Sequence, residues 1–323
     1  MKLKNLFVLF VAVVCVKISH AQQTEHFFQY PVPPDNLETL TDRTNYLVEH
    51  FWDRCNLKSA FSARQKMAEA FSDYVSFMPY ADSVVVINSI EKLIKEVKKK
   101  PEHLLLLTQM AENNLYCDTA EYIIDSAYLP FARAAASTGG IPRDQRDRYA
   151  LQSSQLEGSQ VGMKSPSFTM IQPNGELTSI DDIENRYILV LFDDPNDSEN
   201  LLTRVRLSAD YSINELIKRG YVAVVSLYPG VADEAWKTRA AGYPSNWIVG
   251  ASPDANRLFD QRQKPTIYYL NRDKQILSKN LYIDNLIEAF RVVLVNQDRI
   301  NQERERLKKE ALQQRETRDA EEK

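Results

Sequence analysis

An uninterrupted apolar, β-rich run, Tyr187-Ile188-Leu189-Val190-Leu191-Phe192, leads directly into the polar octet Asp193-Asp194-Pro195-Asn196-Asp197-Ser198-Glu199-Asn200. A run without polar alternation predicts a strand buried on both faces of a sheet. From Leu201 to Lys218 the apolar residues fall at helical spacing. The octet is therefore a strand-to-helix turn at the C-terminal end of a central strand, where open α/β sheets bind their ligands. Any chemistry is expected there.

The residue types in the octet favour a helix start over a catalytic centre. Asn196, Asp197 and Ser198 are all good N-caps, and Asn196 with Glu199 has capping-box spacing. Asp193, Asp194 and Asp197 supply clustered carboxylates for a hydrolytic or metal-dependent alternative, but no histidine or Ser-His pair accompanies them.

The order strand, Asp-Pro, turn, helix resembles the active-site turn of the thioredoxin superfamily, especially its secreted TlpA- and ResA-type branch. In that branch the helix opens with Cys-x-x-Cys; here Asp197 and Asn200 stand where the two thiols would be. Disulfide exchange needs an attacking thiolate and a resolving thiol, and neither carboxylate nor amide replaces them. The resemblance extends to the entry Val161-Gly162-Met163-Lys164-Ser165-Pro166-Ser167-Phe168, to Ala232 to Lys237, to Tyr243 to Val249 and to Lys264-Pro265-Thr266-Ile267-Tyr268-Tyr269-Leu270. It implies that Pro265 is cis and faces the degenerate turn, with its neighbour's backbone free to pair with a bound peptide. The candidate groove is Asp194, Pro195, Trp247, Lys264, Pro265 and Thr266, with Phe192, Trp247 or Tyr243 as second-tier apolar contacts whose size suits a core better than a contact surface.

The expected order in this region is a short strand from Phe168, an Asn174-Gly175 hairpin turn and a strand at 176–180. Strand 187–192, helix 201–218, strand 221–227, helix 232–241, strands 266–270 and 275–281 and helix 284–295 follow. That is a four-to-five-stranded mixed sheet between helices.

Upstream, Lys2 and Lys4 precede the apolar run Leu6 to Val16, and Ser19-His20-Ala21 ends in a small residue, the pattern of a cleavable secretory signal over 1–21. Val14 before Cys15 does not suit a lipoprotein signal, so the expected location is the periplasm without a lipid anchor or a stable membrane span. Cleavage removes Lys2, Lys4 and Lys17 and no acids, taking the formal charge from −4 by three units to −7. Nothing in that balance recruits nucleic acid. Cys55 and Cys117 remain, as a candidate disulfide in an oxidising compartment or as buried apolar residues beside aromatics.

Residues 22–158 read as a helical domain. After the extended Tyr30-Pro31-Val32-Pro33-Pro34, helices are expected at Asp42 to Trp52, Ala60 to Phe77, Ser83 to Lys98, His103 to Asn113, Thr119 to Ser137 (with Pro130 as a kink or break) and Arg143 to Glu157. His26, His50 and His103 form no zinc-type cluster, and His50 with Asp53 and Cys55 lacks the usual ligand spacing. Tyr30 to Pro33, Arg43 to Asp53 and Ala111 to Tyr116 resemble a helical domain of unknown function that precedes thioredoxin-like domains in secreted proteins of Gram-negative bacteria. The resemblance implies no activity.

Residues 159–295 form the expected thioredoxin-like domain, and 296–323 a charged helical or disordered tail with eight basic and eight acidic residues. Leu286, Val293, Ile300 and Leu307 recur every seven residues, a route to weak self-association that Gln297 and Arg304 interrupt. The expected fold class is therefore α plus α/β: a helical domain, then a thioredoxin-like mixed sheet flanked by helices, then a charged C-terminal helix. Phosphate-loop, dinucleotide and nucleic-acid signatures are missing, and no metal or cofactor is expected. The expected function is an exported non-redox thioredoxin-fold protein that binds an envelope protein or an extended peptide in the cell envelope. The alternative is a thiol-disulfide oxidoreductase using Cys55 or Cys117.

Overall fold

The computed structural model of the protein describes residues 27–321, with side chains described through residue 314. The expected signal over 1–21 lies outside the described residues. The chain divides into two compact units, Met1–Pro142 and Arg143–Lys323.

The first unit is helical: α1 Leu40–His50, α2 Leu57–Ala60, α3 Arg64–Phe77, α4 Ser83–Val97, α5 Pro101–Ala111 and α6 Asp125–Ser137. Thr39 starts α1 by accepting from the Asp42 amide, so one otherwise orphaned donor of the first turn is satisfied. The core is aromatic: Phe51, Phe71, Tyr74, Tyr128 and Phe131 are wholly buried, each contributing about 1.5–3 kcal/mol of burial free energy. The extended N-terminal stretch is fastened to this core through Phe28 and Tyr30, whose rings lie 5.6 and 4.7 Å from that of Phe51. The Tyr30 hydroxyl also donates to Asp73 at 2.7 Å. Helix α6 differs from expectation in starting at Asp125 rather than near Thr119 and in passing through Pro130 without a break. Pro130 costs one backbone bond, but Tyr128, Leu129, Phe131 and Ala132 around it are buried, and their packing outweighs the loss.

The second unit opens with α7 Arg143–Gly158, followed by β1 Thr169–Ile171, β2 Leu177–Ser179, β3 Tyr187–Phe192, α8 Ser198–Ala209, α9 Tyr211–Lys218, β4 Val222–Tyr228, α10 Glu234–Ala240, β5 Ile248–Ala251, α11 Ala255–Leu258, β6 Ile267–Asn271, β7 Ile276–Lys279 and α12 Ile283–Glu321. The strands form one sheet in the order β2-β1-β5-β4-β3-β6-β7. The β3–β4 and β4–β5 pairs are parallel, and the other neighbours are antiparallel.

Strand β3 lies at the centre of this unit's core. Ile188, Val190 and Phe192 point into one apolar layer with Phe168, Phe259 and Tyr268. Leu189 and Leu191 point into the other, with Leu207, Ile213, Leu286 and Phe290. Burial on both faces explains why the sequence shows no alternation here.

Seven strands share one sheet where a four-to-five-stranded one is expected, although the sequence places six strands singly. The difference lies in β5, which pairs with β4 on one side and, through Ala251 opposite Ile171, ties the β1–β2 hairpin into the sheet. Gly250 is needed in β5 because a Cβ there would come within 2.6 Å of the Met170 side chain. The single helix expected over 201–218 is two helices. Asp210 ends α8 and caps α9 by accepting from the Ile213 amide at 3.0 Å, so a cap residue breaks an otherwise continuous apolar face. At the other end, α12 unites the expected last helix and the charged tail. Leu286, Phe290 and Leu294 bury its first three turns, whereas Ile300 and Leu307 are exposed.

Candidate functional site

The turn after β3 carries two carboxylates four residues apart in opposite environments. Asp193 is 1 % exposed. Its backbone amide continues the parallel ladder to the Leu227 carbonyl at 2.9 Å, which fixes where its side chain must go. The carboxylate accepts from Arg204 Nη1 at 2.8 and 2.7 Å and from Ser226 Oγ at 3.0 Å. Arg204, from the second turn of α8, also donates to the Tyr243 hydroxyl at 2.7 Å and lies 4.1 Å over that tyrosine's ring. Burial pushes the Asp193 carboxyl above its usual range, with Arg204 opposing the shift. Tyr243 is raised as well, first by burial and then by the neighbouring Asp193 charge.

Asp197, half-buried at the mouth of the turn, is the N-cap of α8 and accepts from the Glu199 amide at 2.9 Å and the Asn200 amide at 3.4 Å. Its other oxygen binds Lys264 Nζ at 2.7 Å. That ion pair, more than the cap, holds the Asp197 carboxyl below its usual range. The cap falls one residue later than the Asn196–Glu199 spacing implied. The Asn196 amide is taken instead by Asp194 Oδ1 at 2.9 Å, which makes Asp194 the turn former.

The Lys264–Pro265 bond is cis, as the resemblance implied. Lys264 is exposed and Pro265 half-buried. Thr266 is buried; its carbonyl accepts from the Phe192 amide at 3.0 Å, and its hydroxyl donates to the Gln263 carbonyl at 2.6 Å. Among the described residues, the Lys264 main-chain N–H and C=O have no hydrogen-bond partner. The turn thus offers the unpaired backbone groups of Lys264 beside a carboxylate–lysine pair, and no sulfur.

Of the expected groove, Asp194, Pro195, Lys264, Pro265 and the buried Thr266 lie at this end of the sheet, beside Asp197. Trp247 does not: it is 7 % exposed and packs in the apolar layer with Leu189, Leu191 and Ile267, so it is a core residue and not a groove wall. Phe192 is core too. Asn200, which the resemblance set at the second thiol position, is buried within α8, and its Oδ1 has no partner among the described residues. The three carboxylates of the hydrolytic alternative are separately engaged, Asp193 by Arg204, Asp194 by the Asn196 amides and Asp197 by Lys264.

In the first unit, Cys55 and Cys117 are half-buried and not bonded to each other. Burial pushes the Cys55 thiol up to about 11. Asp53 is held by His50 and Lys92, each at 2.8 Å, which removes the carboxylate from any site with Cys55. Among the described residues no group of three or more His, Cys, Asp or Glu side chains is placed to hold a metal ion, and no helix is long and apolar enough to cross a membrane.

Sequence reasoning missed the partners of Asp193. Arg204 follows it by eleven positions, and Tyr243 lies thirty-nine further on. A signal was available: a charged residue directly after a fully apolar strand must be paired if the strand end is buried.

Residues 15–158 match a family described as a domain of unknown function, DUF5106. No curated protein matches the chain. Among solved structures, a thioredoxin-like protein from Bacteroides caccae is 22 % identical, with a TM-score of 0.69 over 82 % of this chain and 98 % of that one. A conserved protein of unknown function from Bacteroides fragilis is 29 % identical over 41 % of this chain and 98 % of its own, with a TM-score of 0.39. The thioredoxin domain of a thiol-disulfide oxidoreductase from Bacteroides vulgatus is 20 % identical over 42 % and 98 %, with a TM-score of 0.37. The sheet order and the long match to the Bacteroides caccae structure agree: this chain carries a domain of thioredoxin-like fold, preceded by a helical region that matches a domain of unknown function.

Proposed function

We propose that this protein is an exported, non-redox member of the thioredoxin-like fold that holds an extended segment of another envelope protein. The periplasmic location rests on the sequence pattern at 1–21. The observation that supports the reading is a helix start without sulfur, with Asp197 committed to Lys264 and the helix cap and Asn200 buried, next to a Lys264 backbone left unpaired. Unpaired main-chain groups just before a strand can pair with the backbone of an extended peptide. The oxidoreductase alternative would need a thiolate, and the Cys55 environment disfavours one.

The test is an NMR titration of the full chain with a thiol-blocked, unfolded polypeptide. Saturable amide shifts centred on Lys264 and Thr266 are expected. Shifts confined to other surfaces, or none at concentrations that saturate ordinary peptide-binding domains, would refute the reading.

A further inference from the structure

Between α8 and the loop after α10 lies a recess of about 350 Å³ whose wall includes Pro195, Leu201, Arg204, Val205, Arg239 and Tyr243. Two features set it apart from an ordinary surface dent. Leu201 and Val205, one helical turn apart, are 49 % and 53 % exposed, so apolar surface faces it. The only charged side chains on its wall are arginines.

Arg204 is held firmly in this wall. Its side chain is 12 % exposed; Nη1 serves Asp193 and Tyr243, and the tyrosine ring supports the guanidinium plane. Its Nε and Nη2 donate to nothing among the described residues. The guanidinium therefore presents a pre-aimed pair of donors, the geometry that takes a carboxylate bidentately at small entropic cost. Asp193 already balances the Arg204 charge, and Asp194 is turned to the Asn196 amides. Arg239, exposed and without an ion-pair partner among the described residues, is the positive charge left over. One surplus charge suits a monoanion better than a phosphate dianion.

We infer that this recess is a carboxylate-recognition pocket, which binds a peptide acid group lying next to an apolar side chain. The carboxylate meets Arg204 and Arg239, and the apolar neighbour rests on Leu201, Val205 and Pro195. Pro195 belongs to the same turn whose Asp197 binds Lys264, so an extended segment paired along the Lys264 backbone has its acidic residue read here. In that respect the inference rests on the binding function proposed above and names the partner's chemistry: an extended segment bearing either an internal acidic residue or a C-terminal carboxylate.

The test follows the Gly242 amide, which lines the recess, by NMR in the full chain with four small probes: N-acetyl-leucine, N-acetyl-leucinamide, N-acetyl-leucyl-glutamic acid α-amide and N-acetyl-leucyl-glutamine amide. A saturable shift with N-acetyl-leucine alone supports a C-terminal source, and one with the glutamic acid derivative alone an internal source; shifts with both acids support the pocket for either. Arg239→Gln, whose side chain is outside the buried cluster, is expected to weaken acid binding roughly tenfold by removing one charge-assisted contact. No shift with either acid, equal binding of the neutral amides, or affinity unchanged by Arg239→Gln would overturn the inference. Acids that bind at Gly242 while the unfolded polypeptide leaves Lys264 and Thr266 unmoved would instead defeat the strand-addition reading and leave the pocket standing.

Discussion

Asp193 and Asp197 belong to one turn and one residue type, yet the fold uses them in opposite ways. Asp193 is sealed at the end of the central strand and shared among Arg204, Ser226 and Tyr243, and burial raises its proton affinity. Asp197 sits at the helix mouth, where Lys264 and the helix amides lower it. The first carboxylate is a structural necessity created by placing a charge at a buried strand end. The second is a helix cap made at the surface and tied to a lysine from the loop before β6.

The largest expected effect breaks the buried member of this pair. Arg204→Met leaves Asp193 desolvated without its cation and is expected to cost about 3–5 kcal/mol of unfolding free energy, read from urea denaturation. Next is Asp197→Ala, which removes the cap of α8 and is expected to cost about 1 kcal/mol. Asp197→Asn keeps a good cap and isolates the ion pair. Lys264→Met, acting on an exposed lysine, is expected to lose no more than about 1 kcal/mol. A loss at Lys264 as large as that at Arg204 would erase the distinction between the two sites.

The smallest effect sharpens the comparison by its sign. Because the folded Asp197 carboxyl binds its proton less readily than the unfolded one, its contribution is present above the unfolded value, about 3.9. It fades as pH falls through the folded value. Asp193 has the reverse sign: its contribution is fullest below the unfolded value and is lost as pH rises through the raised folded value. Relative to wild type, Asp197→Asn is therefore expected to lose most stability near neutral pH and little in acid. Asp193→Asn is expected to lose more in acid than near neutrality, as read from urea midpoints across pH 2.5–7.

The features that sequence exposed were local ones. Tyr187 to Phe192 could only be a strand buried on both sides, and the polar octet after it could only be a turn into a helix. What stayed hidden required partners from far along the chain. Strand β5 is four residues long and contains Gly250, too short and too weakly β-forming to stand out before β4 and β1 close on either side of it. The Arg204–Tyr243 contact brings a helix and a distant loop to the end of β3, and no spacing rule joins them. Trp247 shows the same limit from the other side. Its neighbours in sequence resemble a groove segment, but its depth in the apolar layer is set by Leu189 and Leu191 from β3 and Ile267 from the adjacent β6, across β4 from β5, which Trp247 immediately precedes.

Insulin reduction by dithiothreitol, followed in the presence of the purified chain lacking residues 1–21, decides whether this protein exchanges disulfides. A rate indistinguishable from the dithiothreitol blank is predicted, because Asp197 and Asn200 cannot form or resolve a mixed disulfide. A rate well above the blank that disappears with Cys55→Ser or Cys117→Ser would contradict it and make this protein an oxidoreductase with its thiol in the helical unit.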